Sequence, residues 1–352
     1  MAVSSHFKMN IAYFCSKEVF IMYVPILKAR RIEKGVIKKL SYCFSDKIIP
    51  LIEIINDKSD FEKVLSYIDD KKVFIDYLRI SSSKYGNRFD PSSVVLSLRV
   101  SRDESEYLSC LEDLLVYNNV IPVISISDGY RISESNLINI YDNFSLNNKS
   151  IALRITPSLI DDYRHFIQNK LQDKDYLLFD IGETSILSRE MELEELSTMN
   201  ISAKKIILNS PRQSNLTNGE FEENDISILI DNIVAKEYSK LGFDGFGDYC
   251  GYKDVLPRKN GSKGEGAAIA LIYDYKINQF YSFVEKNTKL GVRGYSKVIN
   301  DILQKRNIIS DFNDCVAMRE VERLNLSPKK GNWAVWIGIT MIRYIYQIYL
   351  HL

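Results

Sequence analysis

Eight short apolar runs recur along this 352-residue chain, and each carries a polar or charged residue near its end. They are YVPILKA (23–29), IIPLIEI (48–54), VFIDYLRI (73–80), IPVISIS (121–127), IALRITP (151–157), YLLFDIGE (176–183), KIILNSP (205–211) and GFDGFGDYCG (242–251). Side chains alternate faces along a strand, so the residue two before each polar one shares its face. This pairs Ile26 with Lys28, Leu51 with Glu53, Phe74 with Asp76, and Val123 with Ser125. It also pairs Ala152 with Arg154, Leu178 with Asp180, Ile207 with Asn209, and Phe246 with Asp248. One face is therefore apolar low in the strand and polar at its carboxyl end. The interior of a closed parallel barrel has that pattern.

The stretches between the runs have helical spacing, for example RRIEKGVIKKLSYCF after the first and DKSDFEKVLSYIDD after the second. Seven strand-helix steps leading to an eighth strand predict parallel strands joined by right-handed crossovers. Runs that lack outward polar alternation imply cover on both faces, by core within and helices without. The expected class is α/β: a (β/α)8 TIM-like barrel forming one domain over 22–352, which is within the size range of that fold. An open doubly wound sheet is the alternative, but no GxGxxG follows the first strand. Residues 1–21 read as an N-terminal extension. After the eighth strand, 254–289 reads as a basic loop and a hairpin turning at Tyr275–Asn278, a cover or partner surface at the mouth. Helices finish the chain over 290–352. The last stretch approaches membrane-spanning length, but it contains Arg343 and Gln347 and has helical apolar spacing. A partly buried helix capping the barrel is expected there.

Composition narrows function. Lys plus Arg (46) equals Asp plus Glu (46), so no global field favours broad nucleic-acid coating or an anionic membrane. Five scattered cysteines without CxxC spacing, and only three histidines, disfavour a zinc site and suggest a reduced, cytoplasmic setting.

Chemistry is expected at the strand ends. Glu53, Asp76, Asp180 and Asp248 are the candidate catalytic carboxylates; Lys28, Arg79, Ser125, Arg154 and Asn209 are candidate ligand-binding groups. Asp244 and Arg212 lie near the same runs. Buried carboxylates must pair, bind a metal or contact ligand. The four outnumber Lys28 and Arg154, so Glu53, Asp180 and Asp248 would suit a hard cation such as magnesium. Lys28 and Arg154 would then hold phosphate oxygens. That composition fits metal-assisted hydrolysis or transfer at a phosphate ester. It equally fits metal-free acid-base work by Glu53 with Asp180 or Asp248. Schiff-base chemistry at Lys28 and a purely architectural salt-bridge network are further alternatives. No histidine stands at a strand end.

YVPILKARRIEKG followed by PLIEI, then LRI, GDYCG and a terminal GNWAVWIGI helix, resembles the Beta protein family of phages and bacteria. The resemblance covers most of the chain from Met22 onward. It implies an intracellular protein in phage-host conflict, without an established reaction or catalytic residues. The terminal helix carries Arg343-Tyr344 where the family leads one to expect a more polar, histidine-bearing stretch, so no site contribution from that helix is implied. The expected ligand is a phosphorylated small molecule or nucleotide. The alternative is a non-catalytic recognition subunit, whose hairpin and 81–119 insertion hold a protein effector such as a nuclease.

Overall fold

The computed structural model describes residues 22–86, 89–259 and 266–352; the expected 1–21 extension and part of the basic loop lie outside these residues. Strands β1 (Met22–Lys28), β2 (Leu51–Ile54), β3 (Val73–Tyr77), β4 (Val120–Ile126), β5 (Ala152–Ile155), β6 (Tyr176–Asp180) and β7 (Lys204–Asn209) follow one another around a barrel. A two-residue strand, β8 (Asp225–Ile226), stands apart, and β9 (Gly245–Asp248) closes the barrel between β7 and β1. Every barrel pairing is parallel. The chain is thus a closed eight-stranded α/β barrel of the (β/α)8 type.

Crossover helices are α1 (Arg31–Leu40), α2 (Ser59–Ile68), α3 (Ser82–Tyr85), α4 (Val95–Arg102), α5 (Glu104–Glu112), α6 (Glu134–Leu146), α7 (Arg164–Asn169), α8 (Glu190–Thr198) and α9 (Val234–Glu237). In α1 the buried Val36, Ile37 and Leu40 share one face, the spacing that turns a helical stripe toward a core. The longer third connection carries α3, α4 and α5. Two main apolar cores result, with a smaller cluster of Ile55, Leu78, Ile80, Val94 and Leu256 beside them. Met22, Val24, Ile26, Leu51, Phe74, Val123, Ala152, Leu178, Ile206 and Leu208 fill the barrel. Tyr23, Leu27, Ile52, Ile75, Ile124, Leu153, Phe179, Ile207 and Phe246 face the helices.

These clusters settle which face each polar residue takes. The first six pairs have their apolar member inside the barrel, so Lys28, Glu53, Asp76, Ser125, Arg154 and Asp180 share the inner face. Ile207 and Phe246 belong to the outer core, so Asn209 and Asp248 take the opposite face. The inner residues of the last two strands are Leu208 and, just beyond β9, Tyr249.

Glycine explains this in β9. A Cβ on Gly247 would lie 2.6 Å from the Val24 carbonyl oxygen and 2.6 Å from Leu208 Cδ2. Only glycine lets β9 close on β1 there, so the large Phe246 must point outward. Gly247→Ala is expected to cost about 1–3 kcal/mol through overpacking. It would be read as a lower urea midpoint with an unchanged m-value; a wild-type midpoint would contradict the close approach.

After β9, the hairpin β10 (Ala268–Asp274) and β11 (Gln279–Glu285) turns through residues 275–278, and β11 also pairs with β8. Helices α10 (Tyr295–Gln304), α11 (Val316–Leu326) and α12 (Trp333–His351) follow. The hairpin packs under α12 and α10 and lines neither mouth cavity described below. Helix α12 packs against α1 and sets Tyr344 on Tyr23 of β1, with ring centroids 6.0 Å apart. It therefore fills the outer groove beside β9, where the closing helix of a barrel belongs. Gly251, at φ +74, fits beneath it because a Cβ would meet the Phe280 ring at 2.5 Å. Arg343 is fully buried in this helix, donating to the carbonyls of Tyr273 (2.8 Å) and Ser310 (2.5 Å). Among the described residues no helix is long and apolar enough to cross a membrane.

Candidate functional site

Register explains why the polar inner residues meet. Lys28 pairs with Glu53, Glu53 with Asp76, and Ser125 with Arg154 across adjacent strands. Arg154 pairs with Leu178, which leaves Asp180 one rung nearer the mouth. Arg154 is the hub. Its guanidinium reaches Glu53 and Asp76 at 2.8 Å each and Asp180 at 2.7 Å, and donates to Tyr249 Oη at 3.2 Å. Lys28 Nζ lies 2.5 Å from Glu53 and 2.5 Å from Asp254, and sits 4.6 Å from the centre of the Tyr249 ring. Asp254 is also held by Lys84 at 2.7 Å and by the Tyr85 hydroxyl at 3.0 Å.

The sequence pattern did not reveal Asp254, Lys84, Tyr85 or Tyr249. The first three stand on connections, where periodicity carries no facing information. Tyr249 was legible in principle: it lies two residues beyond Gly247, on the face that the glycines keep open. Lys84 supplies a cation absent from the sequence-level charge count. With it, Lys28, Lys84 and Arg154 face Glu53, Asp76, Asp180 and Asp254.

The carboxylates are not equivalent. Burial alone would raise Glu53, but Lys28 and Arg154 hold it below its ordinary value. Burial is likewise outweighed at Asp180 by Arg154 and Lys84, and at Asp254 by Lys28 and Lys84. At Asp76 burial wins, with the Glu53 charge adding to it, and the carboxyl is raised despite Arg154. Asp76 accepts the Ser125 hydroxyl at 2.8 Å on both oxygens. Burial pushes the Tyr85 and Tyr249 phenols well up, so both serve as neutral donors.

Above this network lies a cavity of about 200 Å³, walled by Asp76, Arg79, Lys84, Ser125, Arg154 and Asp180. A neighbouring cavity of about 360 Å³ shares Lys84, Asp128, Thr156 and Asp180 with it. Arg79 lies at the rim: it donates to the Ser125 and Tyr130 carbonyls and stacks 4.1 Å from the Tyr107 ring centre. Its Nε is buried without a partner.

Four sequence-level candidates fall elsewhere. Asp248 faces outward and accepts from Tyr344 Oη (2.6 Å), Tyr23 Oη (3.1 Å) and the Cys250 amide (2.8 Å). Asn209 borders a separate cavity beside Glu183 and Ser210. Asp244 sits before β9 at the opposite end of the barrel, accepting from the Lys205 amide at 2.7 Å. Arg212 is buried beneath α12, lining a cavity with Trp336. The proposed magnesium ligands Glu53, Asp180 and Asp248 therefore do not converge, because the first two share Arg154 and the third lies on the other face. Among the described residues no group of three or more His, Cys, Asp or Glu side chains is arranged to hold a metal.

The model of the family described as Beta protein matches residues 23–349, nearly the whole barrel with its C-terminal layer. The chain belongs to that family. No curated protein matches it. In this chain the segments that carry the family resemblance fall at telling places. YVPILK forms β1 and delivers Lys28; PLIEI forms β2 and delivers Glu53; GDYCG ends β9 and turns beneath the hairpin. The terminal GNWAVWIGI begins α12. Family-like segments thus supply both the barrel-mouth network and the outer closure.

Proposed function

We propose that the protein binds or processes a phosphorylated small molecule or nucleotide at the carboxyl-end mouth of the barrel. One observation carries this reading: Arg79, Lys84 and Arg154 line a single cavity beside the hydroxyls of Ser125, Ser127 and Thr156. Cations and hydroxyls together are the donors that a phosphate ester and its sugar need. Lys84 is the most exposed member of the set, its side chain being 42% exposed. Asp76 and Asp180 face the same cavity with pKa values displaced in opposite directions. Such a split suits proton transfer by Asp76 beside an ionised Asp180, in hydrolysis or transfer at the phosphate. The setting we infer is cytoplasmic and phage-conflict related, following the family resemblance. Among the described residues the four cysteines Cys43, Cys110, Cys250 and Cys315 are buried and free, which agrees with a reducing compartment.

A second reading is a non-catalytic recognition subunit for an effector such as a nuclease. It is favoured by the network itself, whose carboxylates are all matched by basic groups within the chain. Exposed Leu187 (84%) and Met191 (82%) on the α8 side would then offer apolar contact.

A thermal-shift screen against nucleotides and sugar phosphates, with and without magnesium, separates the two. Under the first reading a ligand near one hundred times its Kd adds about 2.7 kcal/mol of stability. Lys84→Gln should abolish the shift. It removes one of two cations from the buried Asp254, so its unliganded melting temperature falls, but Lys28 still pairs with that carboxylate at 2.5 Å and keeps the fold. A shift that persists in Lys84→Gln places binding away from the mouth. No shift with any compound favours the recognition subunit.

A further inference from the structure

Arg212 presents a charge problem that the barrel mouth does not solve. The side chain is 3% exposed, and its Nε is buried without a hydrogen-bond partner. One terminal nitrogen donates to Asn218 Oδ1 at 3.2 Å, and the guanidinium lies 4.8 Å from the centre of the Phe221 ring. Burial lowers it to about 10, and only Tyr252 pulls the other way. Lys253 lines the same cavity, donating to the backbone carbonyls of Ser214 (3.2 Å) and Leu216 (2.7 Å). Burial first, then Arg212 and Arg258, bring Lys253 to about 8, against smaller contributions from Glu183 and Glu220. Buried charges are normally paired. Two cations share this cavity, and no carboxylate stands among its described lining residues.

Aromatic faces form much of the remaining wall, with aliphatic side chains and the polar Asn218 and Thr340 between them. The cavity holds about 140 Å³ and is bordered by Tyr252, Trp333 and Trp336 beside the two cations. Trp336 is stacked on Tyr295, centroids 5.1 Å apart and planes 8° from parallel, so that wall is rigid. Trp333 is 48% exposed at the first turn of α12, which leaves an indole face open at the entrance. The positive end of the helix dipole adds to the same field.

We propose that this cavity is a second ligand site, which takes an oxyanion carried on a planar ring, with Arg212 and Lys253 on the oxyanion and Trp333 on the ring. A phosphate or a carboxylate presents the same acceptor oxygens to a guanidinium fork. The aromatic wall selects a flat body in place of a free inorganic ion. The site is separate from the mouth. Lys253 serves it, while the next residue, Asp254, turns to Lys28 and Lys84.

The chain has a built-in reporter, because its two tryptophans, Trp333 and Trp336, both border this cavity. The full-length protein would be titrated with phenyl phosphate, benzoate, inorganic phosphate and phenol while tryptophan emission is followed. Saturable quenching by phenyl phosphate or benzoate is expected, with the better of the two naming the oxyanion and with phenol weaker by about tenfold or more. Inorganic phosphate should bind more weakly than phenyl phosphate. Arg212→Met should weaken binding by about tenfold or more. Lys253→Gln, at a half-buried position, gives a second test should Arg212→Met fail to fold by circular dichroism. Ser125→Ala at the mouth should leave the quenching curve unchanged. Quenching that survives in both Arg212→Met and Lys253→Gln would overturn the assignment. So would loss in Ser125→Ala alone, or no response to either ring anion up to about 10 mM, weaker than a millimolar site allows.

Discussion

Arg154→Met should lower stability by about 3–5 kcal/mol, the usual consequence of removing one partner from a buried ion network. Arg154 is 5% exposed and satisfies Glu53, Asp76 and Asp180 together. Without it, Asp76 loses its only basic partner in the network, and Asp180 keeps the field of Lys84 with no direct ion pair. The loss should depend on pH with a definite sign. In the wild type Glu53 and Asp180 sit below their ordinary values, so their contribution is present above the ordinary carboxylate range. It is lost as pH falls through their folded values. In the variant burial acts with less opposition, the folded values rise, and the penalty is largest near neutrality. The gap between the two proteins should therefore narrow between about pH 7 and pH 4 in urea unfolding. Adding Asp76→Asn to Arg154→Met should restore part of the loss at neutral pH, since it removes one unmatched charge. A stable Arg154→Met with a pH-independent gap would mean that solvent, not Arg154, satisfies the carboxylates.

The same network shows how far a strand-face argument carries. Lys28, Glu53, Asp76, Ser125, Arg154 and Asp180 come together because each lies two residues beyond an interior apolar side chain, and alternation along a strand is obligatory. The rule fails in β7 and β9. In β9 the interior is crowded and glycine faces it, Gly247 against Val24, with Phe246 outside; in β7 the inward residues are Ile206 and Leu208, so Asn209 falls on the outer face without such a steric reason. Counting from the bulky residue shifts the assignment by one, which flips every side chain to the other face. Lys84 and Tyr85 were not legible because the single turn of α3 is too short to show a period, and Asp254 was not because its loop has none. The spacing of the final segment did announce a partly buried helix on the barrel, but nothing local to Trp333–His351 says that its face belongs beside β1, some three hundred residues earlier.

Asp248 supplies the opposite electrostatic case and a prediction of the opposite sign. It is 1% exposed, with no basic residue among the causes of its shift, and burial moves it from 3.8 to about 6 despite hydrogen bonds from Tyr344, Cys250 and Tyr23. A raised carboxyl contributes stability that is fully present below its unfolded value and is lost as pH rises through the folded one. The shift of roughly two units corresponds to about 3 kcal/mol of penalty near neutrality. Asp248→Asn should therefore be more stable than the wild type near pH 7, by up to about 3 kcal/mol, and should lose that advantage near pH 4. The amide keeps an oxygen for Tyr23 and the Cys250 amide. Tyr344 can turn its proton to Asn232 Oδ1, already 3.0 Å away, and accept from the new amide nitrogen. Urea midpoints of both proteins across that pH interval measure the effect. A variant less stable by the same amount at both ends would show that Asp248 acts only as a hydrogen-bond acceptor. Because Asp248 lies on the helix-facing side of β9, the substitution should leave any ligand-induced shift at the mouth intact. If it removed that shift, the outer closure by α12 and the mouth network would have to be one cooperative unit.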